Sequence, residues 1–112
     1  RIDSAMERTG VKFMQRILTD TEQQEFDSSG QPNRLLAKRF AAKEAIAKAL
    51  GTGIGRGVSW QDIQIEHDKY GAPRVHLSGG AARVASERGA SRVELSLADE
   101  QDLVVAFAVL AS

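Results

Sequence analysis

Cysteine is missing from the 112 residues, which excludes disulfides, thiolate nucleophiles and Cys-ligated zinc. Net charge is missing as well. Fifteen Lys and Arg balance fifteen Asp and Glu, and the pI is near 7.0, a poor basis for holding nucleic acid. Aromatic residues make up 5% of the chain and fall singly, so there is no platform on which bases could stack. No apolar run approaches the roughly 20 residues of a membrane helix, and no signal-peptide pattern is present. The expectation is a cytoplasmic protein with neither a membrane nor a nucleic acid as partner. What remains is ordinary globular composition, 42% hydrophobic and 27% charged, enough for one core and too little for two. Residues 1–112 therefore read as a single domain.

The zero charge hides a segregation. Residues 1–56 carry ten Lys and Arg against seven Asp and Glu, and residues 57–112 carry five against eight. From Arg34 to Arg56 the cations Arg34, Lys38, Arg39, Lys43, Lys48 and Arg56 face only Glu44. This predicts a positive face for an anionic partner.

Local patterns predict the elements. Residues 2–9 form an amphipathic helix that Gly10 stops, and Lys12 to Leu18 is of uncertain type. Thr19-x-x-Glu22 is a capping box opening a helix to about Asp27. Asn33 caps the longest helix, Arg34 to Leu50, which is rich in Ala, Leu, Lys and Glu and ends at Gly51. Ile63 and Ile65 alternate as a half-buried strand, Tyr70 to Pro73 is a turn, and Arg74 to Leu77 returns as the second strand of a hairpin. Residues 80–88 are a short helix closed by Gly89. Ser91 to Leu97 is a strand, Ala98 to Asp102 an acidic turn, and Leu103 to Leu110 a nearly continuous apolar strand suited to a central position. Trp60 and Phe107 read as core, and His67 and His76 as ordinary strand residues. Helices first and strands later predict an α+β fold, a long helix packed on an antiparallel sheet.

The long helix carries the chemistry. At 100° per residue Leu35, Ala42, Ile46, Ala49 and Leu50 share one side, and Ala37, Phe40, Ala41, Glu44 and Lys48 the other. Glu44 and Lys48 are one turn apart. They are either an i,i+4 pair contributing about 0.2–0.5 kcal/mol, or a carboxylate and an ammonium at a pocket wall, where Mg²⁺ could use the carboxylate together with substrate phosphates. After Gly51 come Gly53, Gly55 and Gly57. This loop fits neither the dinucleotide fingerprint nor a P-loop. It is either a flexible connection or backbone that can approach an anion and aim N–H groups at it.

Read as one run, Arg39-Phe40-Ala41-Ala42-Lys43-Glu44-Ala45-Ile46-Ala47-Lys48-Ala49-Leu50-Gly51-Thr52-Gly53-Ile54 resembles the signature of the holo-[acyl-carrier-protein] synthase family of small 4'-phosphopantetheinyl transferases. Arg16-Ile17-Leu18-Thr19, Gly71-Ala72-Pro73 and Ser96-Leu97-Ala98-Asp99-Glu100 resemble further family stretches. Another family variant has a His near the place of Asp99, where it meets coenzyme A phosphates, and no such role transfers to Asp99. The family opens with a short strand bearing Gly-x-Asp-Ile, whose Asp is a magnesium ligand. The sequence starts at Arg1 without it, and we expect it upstream in the natural protein.

The resemblance implies a phosphopantetheinyl transferase fold and an activity. Coenzyme A gives its phosphopantetheine arm to a serine of apo acyl carrier protein in fatty acid biosynthesis, and the enzyme needs Mg²⁺. It also implies roles. Glu44 binds Mg²⁺ and is placed to orient a proton-accepting water, and Lys48 either steadies phosphate charge or acts as base. Arg39 reaches a phosphate and Phe40 packs near the nucleotide. Gly51, Thr52 and Gly53 shape the pocket, and Pro73 lines the adenine side. Arg1 and Arg8, extended by Lys12 and Arg16, meet the acidic helix of the carrier protein. The family implies a homotrimer with active sites between subunits. A second reading of the residues is a non-catalytic module that holds an acidic protein through the same cationic face.

Overall fold

The computed structural model describes residues 2–100 and 103–112, with side chains described from residue 9 onward. Four helices and four strands follow in the order α1 (Ile2–Ile17), α2 (Asp20–Ser28), α3 (Pro32–Leu50), β1 (Ile63–His67), β2 (Pro73–Leu77), α4 (Gly79–Glu87), β3 (Arg92–Glu100) and β4 (Leu103–Ala111), with a 3-10 turn at Trp60–Asp62. The strands form two antiparallel hairpins. β1 pairs with β2 in the register Ile65↔Val75, and β3 with β4 in the register Ser96↔Phe107. α3 packs across the β3–β4 hairpin, as expected of a long helix on an antiparallel sheet.

Two clusters make the core. Ala42, Ile46 and Leu50 of α3 meet Val58, Ile63, Ile65, Ala81 and Ala85, with Val93, Leu95, Leu97, Ala108 and Leu110 closing over them from the hairpin. Met14, Ile17 and Leu18 form the second cluster under Leu35, Leu36, Phe40 and Trp60. The capping box at Thr19 is present in both directions: Glu22 N–H donates to Thr19 Oγ1, and Thr19 N–H to Glu22 Oε1. Gly51 ends α3 at φ 87, the left-handed cap that glycine takes without strain.

Several expectations are corrected. Gly10 does not stop the first helix, and α1 runs on to Ile17. A glycine inside a helix costs about 1 kcal/mol relative to Ala, and burying Met14 and Ile17 one and two turns later outweighs that. α3 starts two residues early because Pro32 suits the first helical position; Gln31, not Asn33, is its cap residue. Ala98 to Glu100 continue β3, so the expected acidic turn does not begin there, and residues 101 and 102 lie outside the described residues. β4 is not central. Among the described residues it pairs only with β3, and Leu103, Val105, Phe107 and Val109 point outward, with Phe107 67% exposed. Its apolar run serves two faces, only one of which this chain covers. Trp60 is half-buried, stacked on Phe40 at 5.1 Å between ring centres.

The largest fully buried side chain is a lysine. Lys43 donates to Glu22 Oε1 (2.6 Å), to the Ile17 carbonyl (2.6 Å) and to the Trp60 carbonyl (3.2 Å). Glu22 Oε2 accepts the Ile65 N–H of β1 at 2.8 Å. Burial holds the Lys43 amine below the usual lysine range, and the Glu22 carboxylate opposes that shift. Removing one member of such a pair strands the other charge out of water. Lys43→Ala is expected to lower stability by about 3–5 kcal/mol. Arg92→Ala breaks only the exposed Arg92–Glu94 pair and should leave the urea midpoint almost unchanged. Urea denaturation of the two variants checks both outcomes.

Candidate active site

α3 presents two separate surfaces. On one, Glu44 and Lys48 are exposed a turn apart, and no ion pair joins them among the described residues. The helix pair that their spacing allows is therefore not made, and the carboxylate and the ammonium are both open to a ligand. Among the described residues no group of three or more His, Asp or Glu side chains is arranged to hold a metal alone. One free carboxylate suits Mg²⁺, which keeps most of its waters and takes phosphate oxygens from a substrate.

The other surface, roughly 140° around the helix from Glu44 by its 3.6-residue turn, bears Arg39. Arg39 is only 3% exposed. Nη2 lies 3.3 Å from Glu25 Oε1, while Nε is 3.8 Å from Glu22 Oε2 and has no hydrogen-bond partner among the described residues. Arg39 lines a cleft of about 280 Å³ with Arg34, Lys38, His67 and Asp99. Asp99 pairs with Arg34 through both prongs of the guanidinium, and Lys38 Nζ lies 3.7 Å from it. The Arg34 hydrogen bond holds the Asp99 carboxyl below the ordinary carboxylate range. Pro73 stands opposite His67 in the β1–β2 ladder, but it does not itself line the cleft that Arg39 lines. A larger hollow of about 380 Å³, lined by Thr19, Gln61, Gln64 and His76 among others, includes none of the site residues expected from the sequence.

The glycine loop is built differently from an anion cradle. The N–H groups of Thr52 and Gly53 donate to the Ala47 carbonyl and that of Gly51 to the Lys48 carbonyl, so all three are engaged in finishing α3. The Thr52 hydroxyl donates to the Gly53 carbonyl at 2.7 Å. The nearby cations come from elsewhere. A Cβ at Gly51 would lie 2.7 Å from the Arg88 guanidinium, and one at Gly57 would lie 3.7 Å from that of Arg83. Arg88 thus sits at the exit of α3, where a cation complements the helix dipole. Phe40 lies between Trp60 and Phe13, with ring centres 5.1 and 5.8 Å away.

The cationic block expected along α3 is largely neutralised within the chain. Arg39 and Lys43 face Glu22 and Glu25, and Arg34 and Lys38 face Asp99. That removes the continuous positive face on which the binding-module reading depended. On α1, Lys12 and Arg16 are exposed and make no ion pair among the described residues, flanked by Val11 and Phe13 at 48% and 40% exposure. Arg8 falls on the same helix one turn earlier, with its side chain outside the described ones; Arg1 lies outside the described residues. Sequence reasoning missed Arg34, Lys38 and His67 as a group. The i,i+4 spacing of Arg34 and Lys38 was visible, but the acid that joins them comes from β3.

Burial, with Arg39 and Lys38 nearby, holds the His67 imidazole below its ordinary value of 6.5. Between that lowered value and 6.5 the unfolded chain binds more protons than the folded one. His67 therefore favours folding fully above 6.5 and loses that contribution as pH falls through this window. In a proton NMR titration the His67 midpoint is expected below 6.5, and Lys38→Met should move it upward.

A family model described as the 4'-phosphopantetheinyl transferase superfamily matches residues 1–108. The holo-[acyl-carrier-protein] synthase of Shewanella amazonensis is 54% identical over 110 residues, covering 98% of this chain and 88% of that protein. The crystal structure of holo-[acyl-carrier-protein] synthase from Neisseria meningitidis superposes with a TM-score of 0.87 at 46% identity, covering 100% of this chain and 90% of that one. A holo-(acyl-carrier-protein) synthase from Bacillus anthracis in complex with CoA (3',5'-ADP) superposes with a TM-score of 0.76 at 36% identity, covering 97% of this chain and 89% of that one.

Proposed function

Because the chain belongs to the 4'-phosphopantetheinyl transferase superfamily, we propose that it moves the phosphopantetheine arm of coenzyme A onto a serine of apo acyl carrier protein, as a Mg²⁺-dependent step serving fatty acid biosynthesis. An O–P bond forms between the serine and the β-phosphorus as the bridging P–O bond of the diphosphate breaks. The electron pair leaves with adenosine 3',5'-bisphosphate. The observation that carries this reading is the open Glu44–Lys48 pair on α3, in a chain whose other ionised side chains on that helix are engaged within the fold.

Glu44 is the Mg²⁺ ligand this stretch of chain supplies, and the ion when bound neutralises charge on the diphosphate. Lys48 adds a mobile positive charge beside it and is the nearest amine for the serine proton; a water held by Glu44 is the other route. Arg39 and Pro73 take the nucleotide end. A buried guanidinium N–H without a partner costs about 1–3 kcal/mol, which an incoming phosphate oxygen would recover. Gly51, Thr52 and Gly53 hold the backbone low next to Lys48, and Phe40 braces the same face through Trp60. Lys12, Arg16 and Arg8 suit an acidic helix of the carrier protein, an encounter that weakens with salt.

One chain carries its diphosphate-binding pair and its nucleotide cleft on different sides of α3. This fits a homotrimer in which each active site lies between two copies. The outward stripe Leu103, Val105, Phe107 and Val109 is the apolar surface such an assembly would cover.

With coenzyme A, Mg²⁺ and the full-length protein, apo carrier should gain the mass of one phosphopantetheine; an unchanged carrier mass overturns the reading. Glu44→Gln is expected to reduce turnover by at least about a hundredfold, the scale of losing one charge-stabilising group, with an unchanged melting curve. Phe107→Asp should shift the sedimenting species to a monomer and take the activity with it.

A further inference from the structure

The nucleotide cleft contains an anion of its own. Asp99 reaches from β3 across to α3, where Arg34 grips both carboxylate oxygens and Lys38 approaches one of them. Arg34 and Lys38 are spaced i,i+4 and line the cleft with Arg39. Arg39 and Lys43 are matched by Glu22 and Glu25 behind them. Besides the unpartnered Nε of Arg39, the cations of the cleft are Arg34 and Lys38, and Asp99 cancels one of their two charges. A phosphomonoester carries about −1.5 to −2 at neutral pH, so a phosphate entering the cleft and the Asp99 carboxylate compete for the same donors.

We propose that Asp99 is a specificity-determining residue: its carboxylate occupies the Arg34–Lys38 donors in the free protein and must yield them to the terminal phosphate on the nucleotide ribose, so it sets how strongly that phosphate is favoured. This rests on the reading of the cleft as the nucleotide end of the coenzyme A site. Binding is then an exchange of anions. The side chain keeps the two cations paired while the cleft is empty, and lowers affinity for any ligand that carries the phosphate. A ligand without it leaves the Asp99 pairs in place and does not feel the competition.

Asp99→Asn removes the competing charge and keeps the shape. The test compares coenzyme A with dephospho-coenzyme A, which lacks only that phosphate, as substrates for the full-length protein. In Asp99→Asn the KM for coenzyme A is expected to fall by about threefold, the scale of one exposed charge pair, with kcat unchanged. The KM for dephospho-coenzyme A should stay within error. Equal changes for both substrates, no change for either, or a rise in the coenzyme A KM overturns the proposal. Arg34→Gln supplies the opposite arm: it should raise the coenzyme A KM and leave that of dephospho-coenzyme A unmoved. Calorimetric binding of adenosine 3',5'-bisphosphate gives the same comparison without turnover: Asp99→Asn should bind it more tightly than the unsubstituted protein, and equal or weaker binding counts against Asp99. Absence of transfer by the unsubstituted protein would instead remove the parent reading.

Discussion

One buried carboxylate holds the fold together. Glu22 Oε1 accepts from the Thr19 N–H and from Lys43, and Glu22 Oε2 accepts from the Ile65 N–H, with Arg39 alongside at 3.8 Å. Through Lys43 the same centre reaches the Ile17 and Trp60 carbonyls. Five elements thus meet at one pair of charges: the end of α1, the start of α2, the middle of α3, the 3-10 turn and β1. An apolar contact would tolerate any of several rotations of these pieces. Directional bonds to a buried ion tolerate one. The net stability of such a pair against a well-packed apolar substitute is small or even negative, so orientation is what it supplies here.

That orientation governs the site. Arg39 and Lys43 are one turn apart on α3, and both turn inward because Glu22 is there to receive them. Fixing them fixes the rotation of the helix. Glu44, next in sequence to Lys43, then has to point outward, and Lys48 follows it one turn on. The end of α1 depends on the same region. Its last carbonyls have no glycine cap and are taken up instead by side chains from other elements, with Gln61 donating to Leu18 (2.7 Å) and Gln15 (2.8 Å), and Gln23 donating to Leu18 (2.9 Å). The exposed Lys12–Arg16 row is therefore held in a set position relative to α3.

How much of this the sequence could disclose follows from the range of each interaction. The capping box at Thr19, the Gly51 cap, the alternation of Ile63 and Ile65 and the one-turn spacing of Glu44 and Lys48 are all settled within a few residues, and all were readable. The long run around Glu44 was specific enough to indicate the family. Lys43 reads as one cation of a positive face because its partner lies 21 residues earlier, and no local pattern marks a buried lysine. Asp99 and Arg34 are 65 residues apart, so the cleft they share with His67 had no signature. Phe107 was misplaced for a different reason. Hydropathy reports that a residue wants cover, not whether its own chain provides it.

The last point bears on how the two surfaces of α3 serve the one reaction proposed for them. A helix that buried a single face in a single chain would need only one apolar side, yet α3 has a cationic cleft on one side and an acid–amine pair on another, with core in between. Coenzyme A is long, and in the proposed reaction its diphosphate meets Glu44 and Lys48 while its nucleotide end meets Arg39 with Arg34 and Lys38. Reaching both within one copy means passing around a helix whose intervening face is filled by Ala42, Ile46 and Leu50. A neighbouring copy brought in along the uncovered β3–β4 face avoids that detour, because the cleft of one chain can then face the acid–amine pair of the next. In the proposed trimer the apolar outer stripe of β4 and the divided polar surfaces of α3 follow from one arrangement, in which a neighbouring copy completes each active site.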